Sequence, residues 1–351
     1  MRNHDSLFKT ISRLLAAPAP NNSCLLPGAV GGVIRELAAE LGLDCAPIGS
    51  AGNLGITIGA GQLDLLVTAH MDRPCFRVSD LGAGSLYPLC AIRVPGADYR
   101  CGGMALRFVD GRVGVAARGR LRFQSSGGET RITFQAERGE LRWGDTVMMQ
   151  TAPQLRDGLI IGTGLDNALG VIIALLAAQR LQKQSLPGRI LFAFTDQEEA
   201  PPSGLFGQGA ARLAGELAPP RLGFINIDAH NAYAGHLPGA GASHAFVSGA
   251  GRGSIVPMDR QAQAVELAAE MNARRAQTVR LNYNYVSRSD DMLLNLWTRC
   301  LGLVGVPLLN AHTSEETAAL DDVTAALEWL GALVPLLDHL PRAPHINEIS
   351  H

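Results

Sequence analysis

Three apolar runs in this chain lead straight into residues that can bind a metal ion. Leu65-Leu66-Val67 continues through Thr68-Ala69 into His70-Met71-Asp72, and Ile190-Leu191-Phe192-Ala193-Phe194 passes Thr195 to reach Asp196-Gln197-Glu198-Glu199. The third, Leu222–Ile227, meets Asp228. Runs this short and uninterrupted read as buried strands, and ligands gather where the strands of α/β sheets end. Helical periods flank them. Leu7, Phe8, Ile11, Leu14 and Leu15 share one face of a helix over 5–16, which Pro18 and Pro20 terminate. A second helix is expected over Gly32–Leu43, with strands at Asn53–Ile58 and Asp64–Ala69. Alternation of this kind predicts an α/β layer.

The pattern changes after Pro74. From Cys75 to Gln150 there is no long helical period. Short strand candidates take its place, at Ala105–Val109, Val113–Ala117, Arg120–Gln124, Thr130–Gln135 and Thr146–Gln150, separated by glycines. This is the pattern of a small all-β module inserted into the α/β chain. Beyond Gly162 the α/β pattern resumes, with helices expected at Asp166–Gln184, Arg260–Arg275, Ser289–Leu301 and Glu315–His339. The glycine-rich stretch Gly235–Gly253 reads as a mobile loop beside a site.

Composition removes several classes of partner. The chain of 351 residues carries 30 basic against 32 acidic side chains, so it has no excess of positive charge for nucleic acid or an anionic membrane. No apolar stretch is long enough to span a bilayer. The six cysteines form no C-x-x-C pair, which argues against a thiolate zinc site and a disulfide framework and makes a reducing cytoplasm the expected location.

Each candidate residue has a plain structural reading beside the chemical one. Asp166 could cap the helix that follows it, and His312 could merely precede a capping box in Thr313-Ser314-Glu315-Glu316. The chemical reading gains from their convergence. Mixed imidazole and carboxylate ligands suit zinc, cobalt or manganese. Strand periodicity points His70 and Asp72 the same way, so one can bind metal while the other accepts the second imidazole N–H. A carboxylate such as Asp166 can bridge two ions. Of the adjacent Glu198 and Glu199, one can ligate while the other takes a proton.

The ordered set Gly52-Asn53-Leu54-Gly55, Ala69-His70-Met71-Asp72, Gly164-Leu165-Asp166-Asn167, Gln197-Glu198-Glu199, Asp228, Ser289-Asp290 and Asn310-Ala311-His312 covers nearly the whole chain. In it the sequence resembles the dinuclear zinc aminopeptidases of the glutamyl, deblocking and tetrahedral aminopeptidase family. The resemblance implies a zinc-exopeptidase-like α/β fold, its mixed sheet flanked by helices and formed by 1–74 plus 159–351, with a barrel-like β domain inserted at 75–158. It also implies two divalent ions, zinc first and cobalt or manganese as alternatives. One would sit on His70, Asp166 and Asp228, the other on Asp166, Glu199 and His312. Glu198 would be the general base and Asp72 the partner of His70, with a cis peptide after Asp166.

The implied activity is a cytoplasmic metallo-aminopeptidase that removes N-terminal residues from peptides through a metal-bound hydroxide. The implied state is a homo-oligomer, a dimer or larger, with the β domain in subunit contacts and limiting access. An amidase or deacylase on N-acyl amino acids would use the same site, and a non-catalytic peptide-binding assembly protein is a third reading. The sequence departs from the family at Asn167-Ala168, at Arg73, and by lacking an Arg near Leu309-Asn310. These departures are expected to alter the substrate pocket, so a preference for acidic N-terminal residues is not carried over.

Overall fold

The uninterrupted apolar runs become adjacent parallel strands. In the computed structural model, which describes residues 4–336 apart from 51, 185–187, 202–203 and 276–277, they lie within one eight-stranded sheet. Its order is Cys45–Ile48, Asn53–Ile58, Arg189–Thr195, Leu63–His70, Gly223–Asn231, Cys300–Leu308, Ala242–Ala245, Val279–Asn282. The four central strands, from Arg189–Thr195 to Cys300–Leu308, are mutually parallel. Their carboxyl ends therefore open on one edge, and His70, Glu199, Asp228 and His312 come from that edge or the loops beyond it. Register is set by packing and by a buried bond between neighbours, Thr68 Oγ1 to Asn226 Oδ1 at 2.7 Å.

The helix Leu165–Leu181 is apolar on nearly every face and buried along most of its length, as a helix enclosed by a sheet and other helices must be. It begins irregularly. Asp166 and Asn167 have non-helical backbone angles, and the peptide between them is cis.

The inserted region closes into a six-stranded barrel in the order Cys75–Asp80, Ser85–Pro88, Glu129–Gly139, Arg112–Ser126, Asp98–Val109, Thr146–Met149. Its own core holds Phe76, Leu121, Phe123, Ile132, Phe134 and Val147. Two of its hairpins turn on two residues. Asp110-Gly111 and Gly127-Gly128 all have positive φ, the requirement of the tight turn that matches strand twist. After the barrel, Gln154–Arg156 pairs with Leu159–Gly162, which pairs in turn with Glu316–Ala319 in a separate three-stranded sheet.

Several sequence expectations need correction. Val113–Ala117 and Arg120–Gln124 are one strand, Arg112–Ser126, because Gly119 does not break it. The register shifts there, and a Cβ on Gly119 would collide with the Gln135 carbonyl, so the glycine marks a bulge. The helix expected over Ser289–Leu301 is a single turn, Asp291–Leu294, followed by the buried strand Cys300–Leu308. Gly305 in that strand lies opposite Asp228, where a side chain would meet the Asp228 carbonyl and the His230 ring. Gly235–Gly253 is no free loop, since Ala242–Ala245 is a buried strand of the main sheet. The last helix starts at Leu320 rather than Glu315, because Glu316–Ala319 is drawn into the small sheet; residues 337–339 of the expected helix lie outside the described residues. The Leu222–Ile227 run extends to Asn231, which places Asp228 inside a strand.

Phe123 is 1% exposed, and its ring meets Phe76 edge-on with centroids 5.5 Å apart. Phe123→Ala should cost about 3–5 kcal/mol by leaving a cavity in the barrel core. Urea unfolding of the purified variant measures this; a loss below about 1 kcal/mol would mean that the barrel core collapses around the gap.

Candidate metal centre

Five buried side chains meet at the open edge of the parallel strands. His70 ends the Leu63–His70 strand, Asp228 projects from its neighbour, and Glu199 follows Arg189–Thr195. Asp166 comes from the irregular helix start and His312 from the loop after Cys300–Leu308. Ligand-type atoms of His70, Asp166 and Asp228 lie within 4.8 Å of one another, as do those of Asp166, Glu199 and His312. Asp166 belongs to both groups. His70 Nε2 is 3.3 Å from Asp166 Oδ1 and 3.5 Å from Asp228 Oδ1. His312 Nε2 is 3.1 Å from Glu199 Oε1 and 3.5 Å from Asp166 Oδ2.

The second ring nitrogens fix the tautomers. His70 Nδ1 donates to the Asp72 carbonyl at 3.1 Å, and His312 Nδ1 donates to the Ala91 carbonyl at 2.7 Å. With Nδ1–H committed, each Nε2 is the nitrogen left facing the carboxylates, free to ligate once it gives up its proton. The Asp72 carboxylate, expected to orient His70, stands 3.5 Å from the same nitrogen and also does something further. Its two oxygens accept the amides of Glu198 and Glu199 at 3.1 and 3.0 Å. Asp72 thus ties the His70 segment to the segment that carries both glutamates.

These donors fit divalent cations. Asp166 Oδ1 and Glu199 Oε1 are buried without a hydrogen bond, although an imidazole nitrogen stands close to each. Carboxylate oxygens and imidazole nitrogens crowded together out of water need a shared positive charge, which a proton on Nε2 or a metal cation between them can supply. Two imidazoles and three carboxylates are the ligand types that zinc, cobalt or manganese accept.

The electrostatics show how much negative charge is confined here. Burial pushes the Glu198 carboxyl well above its usual range, and Glu199, Asp228 and Asp290 push the same way against His70. Burial, with Asp166 beside it, raises Asp228 to about 6. At the two histidines burial opposes the charge, but Glu198, Asp166 and Asp228 around His70, and Glu199 and Asp166 around His312, outweigh it and raise both. Asp166 is desolvated as well, yet the two histidines hold it below the carboxylate range.

A cavity of ≈ 410 Å³ opens onto the centre. Glu198 lines it, with Oε2 3.9 Å from His70 Nε2. Arg93, Arg252 and Arg288 line it too, and Arg288 stacks over the Phe206 ring at 4.8 Å. Among the described residues none of these three forms an ion pair with a carboxylate. Sequence reasoning passed over them because they stand alone in loops, with no periodicity to mark them. It also gave no role to Asp290, whose carboxylate accepts the Thr195 hydroxyl beneath the Glu198 loop.

Two departures expected to change the pocket act elsewhere. Arg73 is 4% exposed, and its guanidinium donates to the carbonyls of Leu14, Leu15 and Ala17 at the end of the first helix, where a cation complements the helix dipole. Asn167 donates from Nδ2 to the Ile227 carbonyl at 2.7 Å and accepts the Gly170 amide at 3.0 Å. It therefore anchors the Asp166 turn to the strand that bears Asp228.

The sequence matches the family model for the M42 glutamyl aminopeptidases over residues 129–329. Three solved structures show the same fold. Aminopeptidase APDkam598 of the archaeon Desulfurococcus kamchatkensis has a TM-score of 0.73 at 18% identity, with 94% of this chain and 95% of that one covered. The TET1 peptidase of Pyrococcus horikoshii, which can assemble into a tetrahedron or a large octahedral shell, gives 0.68 at 17% identity with 93% and 98% covered. Yeast aminopeptidase 1 gives 0.59 at 14% identity with 95% and 98% covered. No curated protein matches the sequence.

The protonation pattern predicts how binding depends on pH. His70, His312 and Asp228 hold protons more tightly than their ordinary values, and a ligand must release its proton to bind metal. Zinc affinity should therefore rise with pH through about 6, where Asp228 gives up its proton, and keep rising above the ordinary histidine range, with protons released on binding. Calorimetry of the metal-stripped protein in buffers of different ionisation enthalpy measures both; an affinity independent of pH would contradict the assignment.

Proposed function

Because the chain belongs to the M42 glutamyl aminopeptidase family, we propose that this peptidase is a divalent-metal-dependent aminopeptidase acting at the free N-terminus of peptides. One observation carries the reading: two groups of buried ligand atoms share Asp166, with the unligated Glu198 beside them. His70, Asp166 and Asp228 would hold one ion, and Asp166, Glu199 and His312 the other. Bound there, a pair of divalent ions lowers the pKa of water and stabilises charge that develops on the carbonyl oxygen.

The chain's own groups supply the proton transfers. Glu198 takes a proton from the attacking water as the new bond to the scissile carbon forms, then returns it to the amine as the C–N bond breaks. Its burial supports this role, because a desolvated carboxyl has the raised proton affinity of a group that both accepts and donates. Asp72 holds the Glu198 and Glu199 amides and so aims both side chains. Zinc is the first candidate, with cobalt and manganese as alternatives.

The barrel, with the strand that leads out of it, is proposed as an inserted domain at 75–158 that makes subunit contacts and narrows access to the cavity. Exposed apolar side chains on it, among them Phe108, Val109 and Trp143, support this. So does the shell-forming assembly of the Pyrococcus horikoshii relative. A homo-oligomer in the cytoplasm is the expected state. Among the described residues no helix is long and apolar enough to cross a membrane.

Metal-stripped protein, reconstituted with single metals, should cleave free aminoacyl substrates and leave N-acylated ones intact. The reverse preference would turn the reading to a deacylase. Glu198→Gln should cut turnover by ~10²–10⁴ with metal affinity nearly unchanged, whereas Glu199→Gln should weaken one of two ions. The opposite pattern would exchange the roles of the two glutamates. Light scattering at micromolar concentration should give at least a dimer, and an active monomer would overturn the proposed subunit contacts.

A further inference from the structure

Glu316 stands four positions beyond His312 and belongs to neither group of ligand atoms. Its side chain is buried, with the residue 1% exposed, and both oxygens are committed to main-chain N–H groups. Oε1 accepts the His312 amide at 2.7 Å. Oε2 accepts the Leu165 amide at 2.6 Å and the Asp166 amide at 3.3 Å. One carboxylate thus joins the backbones of the two segments that supply Asp166 and His312.

The His312 segment needs such a restraint. His312 has φ +63° and Asn310 φ +56°, a left-handed conformation uncommon outside glycine. Conformations of this kind persist only where surrounding contacts over-determine them. Glu316 is itself firmly placed, because it pairs with Gly162 in the small antiparallel sheet. On the far side of the loop, the Tyr99 hydroxyl of the barrel accepts the Ser314 amide at 2.9 Å and bonds the Ser314 hydroxyl at 2.6 Å.

We propose that Glu316 is a positioning residue of the metal centre. By accepting amide hydrogens from both segments it sets the separation of Asp166 and His312, and through it the affinity of the Asp166–Glu199–His312 group. This rests on the two-ion reading above. The role differs from that of Asp72, which ties His70 to the glutamates. Between them the two carboxylates link all the ligand segments except that of Asp228, which Asn167 reaches through Ile227.

The test is calorimetric titration of metal-stripped full-length protein with zinc, for wild type, Glu316→Gln and Glu316→Asp. Glutamine keeps the shape but turns an NH₂ group toward a main-chain N–H. Aspartate is one methylene shorter and cannot span both segments. In either variant one of the two binding events should weaken ~10–100-fold, the usual effect of losing a group that orients a ligand, and the other should weaken less. Leu330→Ala, in the core of the last helix, serves as the control: it should lower Tm and leave the ratio of the two affinities unchanged.

A folded Glu316 variant that binds both ions as wild type does would overturn the proposal. If neither variant folds, hydrogen exchange of the metal-free wild type decides. Slow exchange at Leu165 and His312 supports the clamp, and fast exchange at both overturns it. A wild type that fails to bind two ions counts against the metal reading instead, so the two failures are distinguishable.

Discussion

The arrangement of this protein follows from a concentration of negative charge that water cannot reach. Asp72, Asp166, Glu198, Glu199 and Asp228 are all buried around two imidazoles. Ionised carboxylates in such a volume repel one another, and each also loses its hydration. The fold limits the cost by giving nearly every oxygen a defined partner. Asp72 is satisfied by two amides, and Asp166 and Asp228 stand against His70. Asp166 Oδ1 and Glu199 Oε1 are buried without a hydrogen bond, and cations held by the proposed ligands would satisfy both.

A second layer of groups holds that arrangement. Neither imidazole is oriented by a carboxylate hydrogen bond; each Nδ1 donates to a main-chain carbonyl, that of Asp72 or Ala91. Ala91 lies in the segment leaving the second barrel strand, and Tyr99 of the barrel grips Ser314 two residues past His312. The inserted barrel is therefore joined to a ligand loop at two points. Its core and the site's geometry are coupled, since the Tyr99 ring packs on Phe123 with centroids 5.9 Å apart.

Much of this was legible in the sequence. The three buried runs and the residues ending them located the sheet edge and the ligand types, because an apolar strand and the polar residue after it leave local signatures. The second layer was not legible. Glu316 sits in what reads as a capping box before a helix, and only pairing with Leu159–Gly162, far away in sequence, turns it into a strand residue. The strand Cys300–Leu308 was overlooked because the expected helix ran into it and its two glycines weaken the strand pattern. Arg73 looked like a change in the pocket because its neighbours in sequence are site residues, whereas its guanidinium points back to the first helix.

The parallel order of the central strands has a consequence for how the protein forms. Antiparallel neighbours can be joined by a tight turn, but parallel ones need long crossovers. The strands bearing His70, Asp228 and the His312 loop are therefore brought together only by closing long stretches of chain, the barrel among them. Contacts of such wide sequence separation form slowly, because loop-closure entropy must be met before they contribute. The two groups of ligand-type residues span 70–312, so cations bound as proposed would find their site only on an essentially finished fold. Metal uptake during refolding would then be a late event that reports on completed topology, and the free energy of binding would be added to the native state alone.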